Sequence, residues 1–469
     1  MIDRPSLSLT ALQQIRETIT AGGHIPLAAL DELIVQTASS DQSIARAGLT
    51  ALFPGLIEWL NDSFTPESAF YYNQVFSQII ETCRHLPEGI ELDLWLRRFD
   101  LLDRQSLLAR FDRLGKTMDR EQPARIDPGR LRRVLFLSRV TIGADVAVTS
   151  VLIDGLRCSL PDPNQVEIVL IGPRKLEELF GGDPRIRIRE VSYDRGGTLL
   201  DRLLSWRAVI AAVEKETSGL GEGEYLVIDP DSRLTQLGLL PLLPPSAEPC
   251  GYRFFPSRVF TAPGCSSLGQ LAAAWMAGLG GGDRGGRSFV ALPERFKLLG
   301  RQIGGLLREM GAPRIVAVSL GVGGNEEKRR GEKFEIELLR QLSQDSWVIL
   351  DQGFTEAEQR QVEAAISPRR GTGLPIIAMD ENNFLTFTES VKSRNGILTW
   401  RGGIGSLAGL IAASDQYVGY DSSGQHIAAA LGIPGTTYFS SSNPAIFAKR
   451  WAPFGDKSKV EIEEEGQSD

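Results

Sequence analysis

From residue 133 onward, continuous apolar runs alternate with helical runs, and this alternation constrains the fold more than any other feature of the sequence. The first run, residues 134–140, reads VLFLSRV and lacks the polar alternation of a half-exposed strand. Such a run is typical of a strand buried on both faces of a parallel sheet. The alternation resumes after a glycine-rich stretch at residues 279–287 and a helix near residues 293–310. The pattern therefore predicts two doubly wound α/β domains.

The first 125 residues carry a different pattern, with the three- and four-residue apolar spacing of helices. Thr65, Pro66 and Glu67 form a helix start, with a threonine cap, a proline at the first helical position and an acid in the first turn. We expect a small helical bundle, because this part shows no strand pattern and no constellation of acid, base or nucleophile. Its aromatic stripe is expected to be core, although an exposed part could dock a partner.

Shifts in composition indicate where the domains end. Residues 110–133 are basic and polar and contain prolines, which is typical of a linker with solvated charges; contact with an acidic lipid or acceptor is the alternative. We expect residues 368–394 to be irregular. We therefore predict four parts: a helical bundle at 1–125, a first Rossmann-like domain at 126–290, a second at 291–455, and an acidic disordered tail at 456–469.

Bulk properties exclude several classes of protein. The net charge of -8 and the pI near 5.3 argue against a nucleic-acid partner, because phosphate backbones need a basic face. No apolar run is long enough to cross a bilayer, and the N-terminus lacks the apolar core of a secretory signal, so a cytoplasmic location is expected. The four cysteines are scattered and are expected to be reduced. The three histidines form no metal motif, and no metal site is predicted.

The stretch YVGYDSSGQHIAAALGIPGTTYF, residues 417–439, reads as strand, polar turn, alanine-rich helix and strand. A turn of this kind leaves backbone N–H groups unpaired at a helix N-terminus, where the dipole is positive and phosphate binds readily. His426 lies at the start of that helix. The alternative is an ordinary helix cap, in which Asp421 or Ser423 accepts the backbone N–H groups.

The turn in this stretch, Asp-Ser-Ser-Gly-Gln-His, resembles the C-terminal signature of the family 9 glycosyltransferases, the heptosyltransferase family. That signature reads Asp-Thr/Ser-Gly-x-x-His before an alanine-rich helix, and here its glycine is displaced by one position. The resemblance places the donor site at Asp421, Ser422, Ser423, Gly424 and His426. Asp421 would orient the helix start or a sugar hydroxyl, and His426 would donate to phosphate or to the donor sugar.

Two further motifs extend the resemblance over residues 130–455. The turn after the first predicted strand is similar to the family's Gly-Asp-Val, with an alanine inserted before Asp145. By that resemblance Asp145 is the general base, and the alternative is that it only caps the helix. The loop after the strand at residues 315–320 keeps the family's glycines and lysine but lacks its proline and tryptophan. The resemblance assigns phosphate binding to this loop, with a solvated Lys328 as the alternative: Gly323, Gly324, Asn325 and Lys328.

The resemblance implies a GT-B fold, in which two Rossmann-like domains face each other across a cleft behind the all-α N-terminal bundle. It also implies a cytoplasmic bacterial enzyme that moves a sugar from a nucleoside diphosphate sugar to an acceptor hydroxyl with inversion, without metal or cofactor. The acceptor, a cell-envelope glycan, a lipid or a protein, is left open, as are the oligomeric state and a peripheral membrane contact. Two alternatives stand beside it: an inactive nucleotide-sugar-binding or scaffold module acting through its helical domain, and an epimerase on the same fold.

Overall fold

The N-terminal part of the chain is helical, as its apolar spacing predicts. The computed structural model describes residues 4–39, 41–118, 129–193, 197–280, 285–323, 325–384, 392–440 and 445–462. Within residues 4–118 the described chain forms seven α-helices and a π-helical turn at Phe53–Glu58, and no strand; we call this part the helical region. Its α-helices are α1 Arg4–Thr20, α2 Leu27–Thr37, α3 Gln42–Leu52, α4 Trp59–Asp62, α5 Pro66–Arg84, α6 Ile90–Arg97 and α7 Arg104–Met118. The Thr65 hydroxyl caps α5, as its sequence predicts, by accepting from Ser68 N at 3.1 Å.

The first α/β domain contains a five-stranded, all-parallel sheet in the order β3-β2-β1-β4-β5. Its strands are β1 Arg133–Leu137, β2 Glu167–Gly172, β3 Ile186–Glu190, β4 Tyr225–Asp229 and β5 Tyr252–Phe254. Its helices are α8 Ile142–Ala144, α9 Ser150–Ser159, α10 Leu176–Phe180, α11 Leu199–Thr217, α12 Glu248–Gly251 and α13 Leu268–Gly280. A π-helical turn at Asp145–Thr149 joins α8 to α9.

The helical region packs directly on this first sheet. One apolar core joins Phe76 of α5 to Leu135 of β1 and Trp206 of α11. The rings of Phe99 and Trp206 lie with their centroids 5.5 Å apart. The helical region and the first domain therefore share one core, rather than each burying its own.

The predicted linker at residues 110–133 is wrong for its first part, because α7 continues to Met118. Arg110 is buried: its Nε donates to Glu248 Oε1 at 2.9 Å and its Nη1 to the carbonyl oxygen of Gly238 at 2.7 Å. The sequence shows a basic residue in a charged run, but its carboxylate partner lies 138 residues further along the chain. Local composition cannot reveal a pair of that separation.

The second α/β domain contains a seven-stranded, all-parallel sheet in the order β12-β11-β10-β6-β7-β9-β8. Its strands are β6 Ile315–Ser319, β7 Trp347–Asp351, β8 Ile376–Asp380, β9 Gly396–Arg401, β10 Gln416–Tyr420, β11 Gly435–Phe439 and β12 Ser458–Ile462. Its helices are α14 Glu294–Met310, α15 Glu332–Leu342, α16 Glu356–Ile366, α17 Ile404–Ala412, α18 Ser423–Ala430 and α19 Ala445–Arg450.

The two edge strands of this sheet correct two predictions. Residues 368–394 are not irregular throughout, because β8 lies within them and pairs with β9. The predicted disordered tail at residues 456–469 is wrong for residues 458–462, because these form β12, which pairs with β11. Both are five-residue edge strands, and acidic neighbours hide the apolar alternation of β12. Their order comes from backbone pairing with a neighbouring strand, which composition does not show.

The carboxyl ends of the two sheets face each other across a cleft. The turn at α8 contacts the start of α18, so that a Cβ added at Gly143 would lie 3.1 Å from Ser423 Cα. One apolar cluster also spans both domains and includes Leu268 and Ile427. This is the GT-B arrangement expected from the sequence. Among the described residues, no helix combines the length and the apolar character that crossing a membrane requires.

Candidate functional site

The cleft has a volume of about 760 Å³ and is lined by all three parts of the described chain. In parallel α/β sheets, ligands bind outside the carboxyl ends of the strands, and the turns after β1, β4, β6 and β10 all reach this cleft. The helical region closes one side. Representative lining residues from the three parts are Arg46, Phe53, Asp62; Thr141, Asp231, Arg233; and Gly321, Lys328, Ser423.

An ion pair joins the two donor-site motifs predicted in the second domain. Lys328 Nζ lies 2.6 Å from Asp421 Oδ2, and the other carboxylate oxygen accepts from Gln425 Nε2 at 2.5 Å. The Lys328 side chain is only 20% exposed, and the alternative of a solvated surface lysine does not describe it. The two motifs, 93 residues apart in sequence, thus form one site.

The other predicted donor residues occupy the same wall, with two exceptions. Gly323, Asn325, Ser422 and Ser423 line the cleft beside Lys328, Asp421 and His426. Gly424 is buried behind the wall, and a Cβ there would collide with the Tyr417 hydroxyl, so its role is close packing. Gly324 lies outside the described residues.

The start of α18 opens into the cleft. Ser422 is the N-cap residue, and its side chain makes no capping hydrogen bond. Among the described residues, the side-chain partners of Asp421 are Lys328 and Gln425 rather than the helix N–H groups. The helix-cap alternative is therefore not the arrangement seen, and the positive end of the helix dipole faces the site.

His426 is a neutral imidazole at pH 7. The side chain is 3% exposed, and its burial lowers the pKa to about 4. Its Nε2 lies 3.3 Å from Gln425 Nε2, and its Nδ1 has no hydrogen-bond partner among the described residues. A neutral ring carries one N–H donor and no formal charge, so His426 can orient a ligand but cannot neutralise one.

Asp145 lies behind the cleft rather than in it. Its carboxylate is fully buried and accepts from the Ser138 hydroxyl at 2.6 Å, the Arg139 backbone N–H at 2.7 Å and the Thr149 hydroxyl at 2.9 Å. Burial raises its pKa to about 6. None of these donors is an N–H group at the start of a helix, so Asp145 is not the helix cap of the alternative, and its placement does not support the role of a base that touches substrate.

The inserted alanine explains this placement. Ala144 follows Gly143 directly and lines the cleft, in the position that the family motif gives to aspartate. Each further residue in a helical turn rotates the side chain by about 100°. One inserted residue therefore turns Asp145 from the cleft into the hydrogen-bond network under β1.

Several left-handed residues shape the first-domain side of the cleft. Val140 has φ 70° and Asp231 has φ 64°, and a β-branched residue at positive φ is an outlier. Both follow strand ends, and Asp231 lines the cleft. Hydrogen bonds hold this backbone, since Arg139 Nη1 donates to the Pro230 carbonyl at 2.6 Å and Ser257 Oγ donates to Asp231 at 2.7 Å. These hydrogen bonds hold the positive-φ backbone at Asp231 in the wall of the cleft.

Sequence reasoning missed the contribution of the helical region. Arg46, Phe53 and Asp62 line the cleft, and the Arg202 guanidinium lies 4.2 Å from the Phe53 ring centroid. Burial raises the pKa of Asp62 to about 6. No local pattern marks these residues, which lie in helices and a π-helical turn, and only the tertiary packing brings them to the site.

Comparison with solved structures supports the fold. The glycosyl transferase family 9 protein from Veillonella parvula DSM 2008 matches with a TM-score of 0.50 and 14% identity, over 71% of this chain and 86% of that one. E. coli heptosyltransferase WaaC with ADP matches with a TM-score of 0.46 and 13% identity, over 71% of this chain and 93% of that one. E. coli ADP-heptose lps heptosyltransferase II matches with a TM-score of 0.47 and 14% identity, over 72% of this chain and 92% of that one. No protein-family model and no curated protein matches the sequence. The resemblance inferred from the motifs is thus confirmed for the fold.

Proposed function

We propose that the protein is a glycosyltransferase that moves a sugar from a nucleoside diphosphate sugar to an acceptor hydroxyl. One observation carries the proposal: Lys328, Asp421 and the open start of α18 come together in a cleft between two parallel sheets. The motifs that supply these groups resemble those of family 9, and the fold agrees with a member of that family.

The donor diphosphate would lie against the second domain. The N–H groups at Ser422 and Ser423 and the ammonium group of Lys328 would stabilise the negative charge that develops as the diphosphate leaves. These groups can do the work of a divalent cation, so the proposed reaction is metal-independent. Within the described chain, no three His, Cys, Asp or Glu side chains cluster as metal ligands.

Inversion follows from the proposed geometry. The acceptor would enter from the side of the first domain and the helical region, opposite the diphosphate on the second domain. A single in-line displacement from that side inverts the anomeric carbon. The acceptor itself, a cell-envelope glycan, a lipid or a protein, is not specified by this arrangement.

An inactive binding or scaffold module is the second candidate, and a specific observation favours it. Asp145, the predicted base, is buried with its oxygens accepting three hydrogen bonds. A protein that lost its base could keep the nucleotide cleft and act through its helical region. This candidate predicts nucleotide binding without turnover.

Thermal stability against ADP, GDP, UDP and CMP, with and without magnesium, tests the proposal. A ligand at 100 times its dissociation constant should stabilise the native protein by about 2.7 kcal/mol. We expect one diphosphate to raise the melting temperature without magnesium, and Lys328→Ala to weaken that rise. Lys297→Ala, which removes a half-exposed charge on α14 outside the cleft, is the matched control. Failure of every nucleotide to shift the melting temperature would refute the proposal.

A further inference from the structure

Because Asp145 is buried, another residue must act as the catalytic base of the proposed reaction. The cleft contains other carboxylates that could do so. Six acidic side chains line it in the described part of the chain: Glu58, Asp62, Asp231, Asp351, Glu358 and Asp421. A base must be able to reach the acceptor hydroxyl and must have an oxygen free to accept its proton. The hydrogen bonds of each carboxylate decide which of them qualifies.

Three of the six are engaged by strong local partners. Asp421 is paired with Lys328 and Gln425. Asp231 accepts from the Ser257 hydroxyl at 2.7 Å and from Arg258 Nε at 3.2 Å. Glu358 Oε2 accepts the backbone N–H groups of residues 354 and 355, both at 2.9 Å, and its helix, α16, belongs to the second domain, the side assigned to the diphosphate rather than to the acceptor. Their negative charge is already used to hold the walls of the cleft.

Asp351 and Glu58 are unsuitable for different reasons. Asp351 accepts from the Ser319 hydroxyl and the Gly353 backbone N–H, each at 3.2 Å, so both of its oxygens are engaged at the end of β7. Glu58 is exposed on the rim of the cleft, where water solvates its carboxylate and no group among the described residues fixes the orientation of the side chain. These exclusions leave Asp62.

Asp62 combines a half-buried position in the lining of the cleft with a free oxygen. It is the last residue of α4 and is half-buried. Its Oδ1 accepts from Asn61 Nδ2 at 3.0 Å, and no other side-chain hydrogen bond reaches the carboxylate from the described residues. The charged groups that act on it are Arg233 of the first domain, Lys328 of the second and Glu58 of its own region. Asp62 thus faces the junction of all three parts of the chain, within electrostatic reach of the lysine assigned to the diphosphate.

We propose that Asp62 is the general base of the transfer reaction and that the helical region therefore completes the active site. The inference rests on the proposed function. The acceptor oxygen forms a bond to the anomeric carbon while the bond from that carbon to the diphosphate oxygen breaks. The electron pair of the broken bond stays on the nucleoside diphosphate. The acceptor proton passes to the free Asp62 oxygen and then to solvent.

The environment of Asp62 suits this task. Burial raises its pKa to about 6, while Arg233 and Lys328 act in the opposite direction and Glu58 adds to the rise. The carboxylate is ionised at neutral pH and is a stronger proton acceptor than an ordinary aspartate. The acid limb of the rate profile would therefore fall near pH 6.

The test compares binding with turnover in Asp62→Asn, Asp62→Glu and the control Glu67→Gln. Glu67 is an exposed acid in the first turn of α5, outside the cleft. The probe is the sugar conjugate of whichever nucleoside diphosphate stabilises the wild-type protein, with water as the acceptor. Titration gives the affinity, and release of nucleoside diphosphate from pH 5 to pH 9 gives kcat and KM.

We expect Asp62→Asn to bind the nucleotide within about twofold of wild type and to lose roughly 10²- to 10⁴-fold in kcat, together with the acid limb. Asp62→Glu should recover part of the rate and the acid limb, which a purely structural role would not restore. Glu67→Gln should behave as wild type. Turnover by Asp62→Asn within threefold of wild type would overturn the assignment. Failure of the proposed function is distinguishable, because it shows in the wild-type protein, which then binds no nucleotide or binds the conjugate without cleaving it, whereas failure of the Asp62 assignment shows only in the variant.

Discussion

Arg110 joins the helical region to the first α/β domain, and we predict that without its side chain α7 opens more often from its packing on that domain. The guanidinium is 3% exposed and has a partner at every nitrogen: Nε and Nη2 donate to Glu248, and Nη1 donates to the carbonyl oxygens of Gly238 and Leu239 at 2.7 and 3.0 Å. Arg110→Met keeps an apolar side chain but leaves the buried Glu248 carboxylate without its cation. Removing one partner of a buried ion pair costs about 3–5 kcal/mol.

Hydrogen exchange of the α7 amides measures this loss where it arises. Because 1.4 kcal/mol corresponds to a factor of ten, the opening of α7 should become roughly two to four orders of magnitude more frequent. Arg98→Met is the control, since Arg98 pairs with Glu214 of α11 across the same boundary, but the two side chains are 51% and 47% exposed. An exposed pair contributes about 0–1 kcal/mol. Equal effects of the two variants would refute the reasoning that burial makes the Arg110 pair a structural tie.

Two further predictions concern the contact between the α/β domains. Gly143→Ala should lower the free energy of unfolding in urea by about 1–3 kcal/mol, because the added Cβ would lie 3.1 Å from Ser423 Cα and 3.4 Å from His426 Cδ2. In the control Gly115→Ala, in α7, the added Cβ has nothing within 4 Å, so this variant should be neutral or stabilising. A larger loss of stability in Gly115→Ala than in Gly143→Ala would contradict the close approach at Gly143. His426 favours its neutral form in the folded protein, so the unfolded chain takes up a proton as the pH falls below 6.5 and stability is lost between about pH 6.5 and 4. Between pH 6.5 and pH 4, the free energy of unfolding of the wild type should fall by about 3 kcal/mol more than that of His426→Gln. If the free energy of unfolding fell in parallel with pH in the two proteins, the histidine would not be buried as described.

The sequence predicts the second domain's donor wall because the residues within each of its two motifs are close together in the chain. Residues 421–426 and the loop before Lys328 each follow a strand, and strands that run parallel bring their following turns to the same edge of the sheet. The Lys328–Asp421 pair itself is not written in either motif, since it depends on β10 lying beside β6. A turn can be predicted locally, whereas its partner requires the strand order.

The first-domain side was harder to predict for a physical reason. The inserted Ala144 is visible in the sequence, but its consequence is a rotation that buries Asp145, and that rotation depends on the conformation of the turn. Asp62 and Arg46 carry no local signal, because their helices reach the cleft only through packing on the first sheet. Edge strand β12 was obscured by its acidic neighbours, and its order comes from pairing with β11.

The most direct test of the central claim is phosphorus NMR of the protein mixed with the nucleoside diphosphate sugar that stabilises it. The proposed reaction breaks the bond between the anomeric carbon and the diphosphate oxygen. With water as the acceptor of the sugar, we predict that the two resonances of the conjugate give way to those of a free nucleoside diphosphate, with its terminal phosphate, in the absence of added metal. An unchanged conjugate that remains bound would contradict this transfer and favour the binding module, and a nucleoside monophosphate together with a sugar phosphate would show that a different bond is broken.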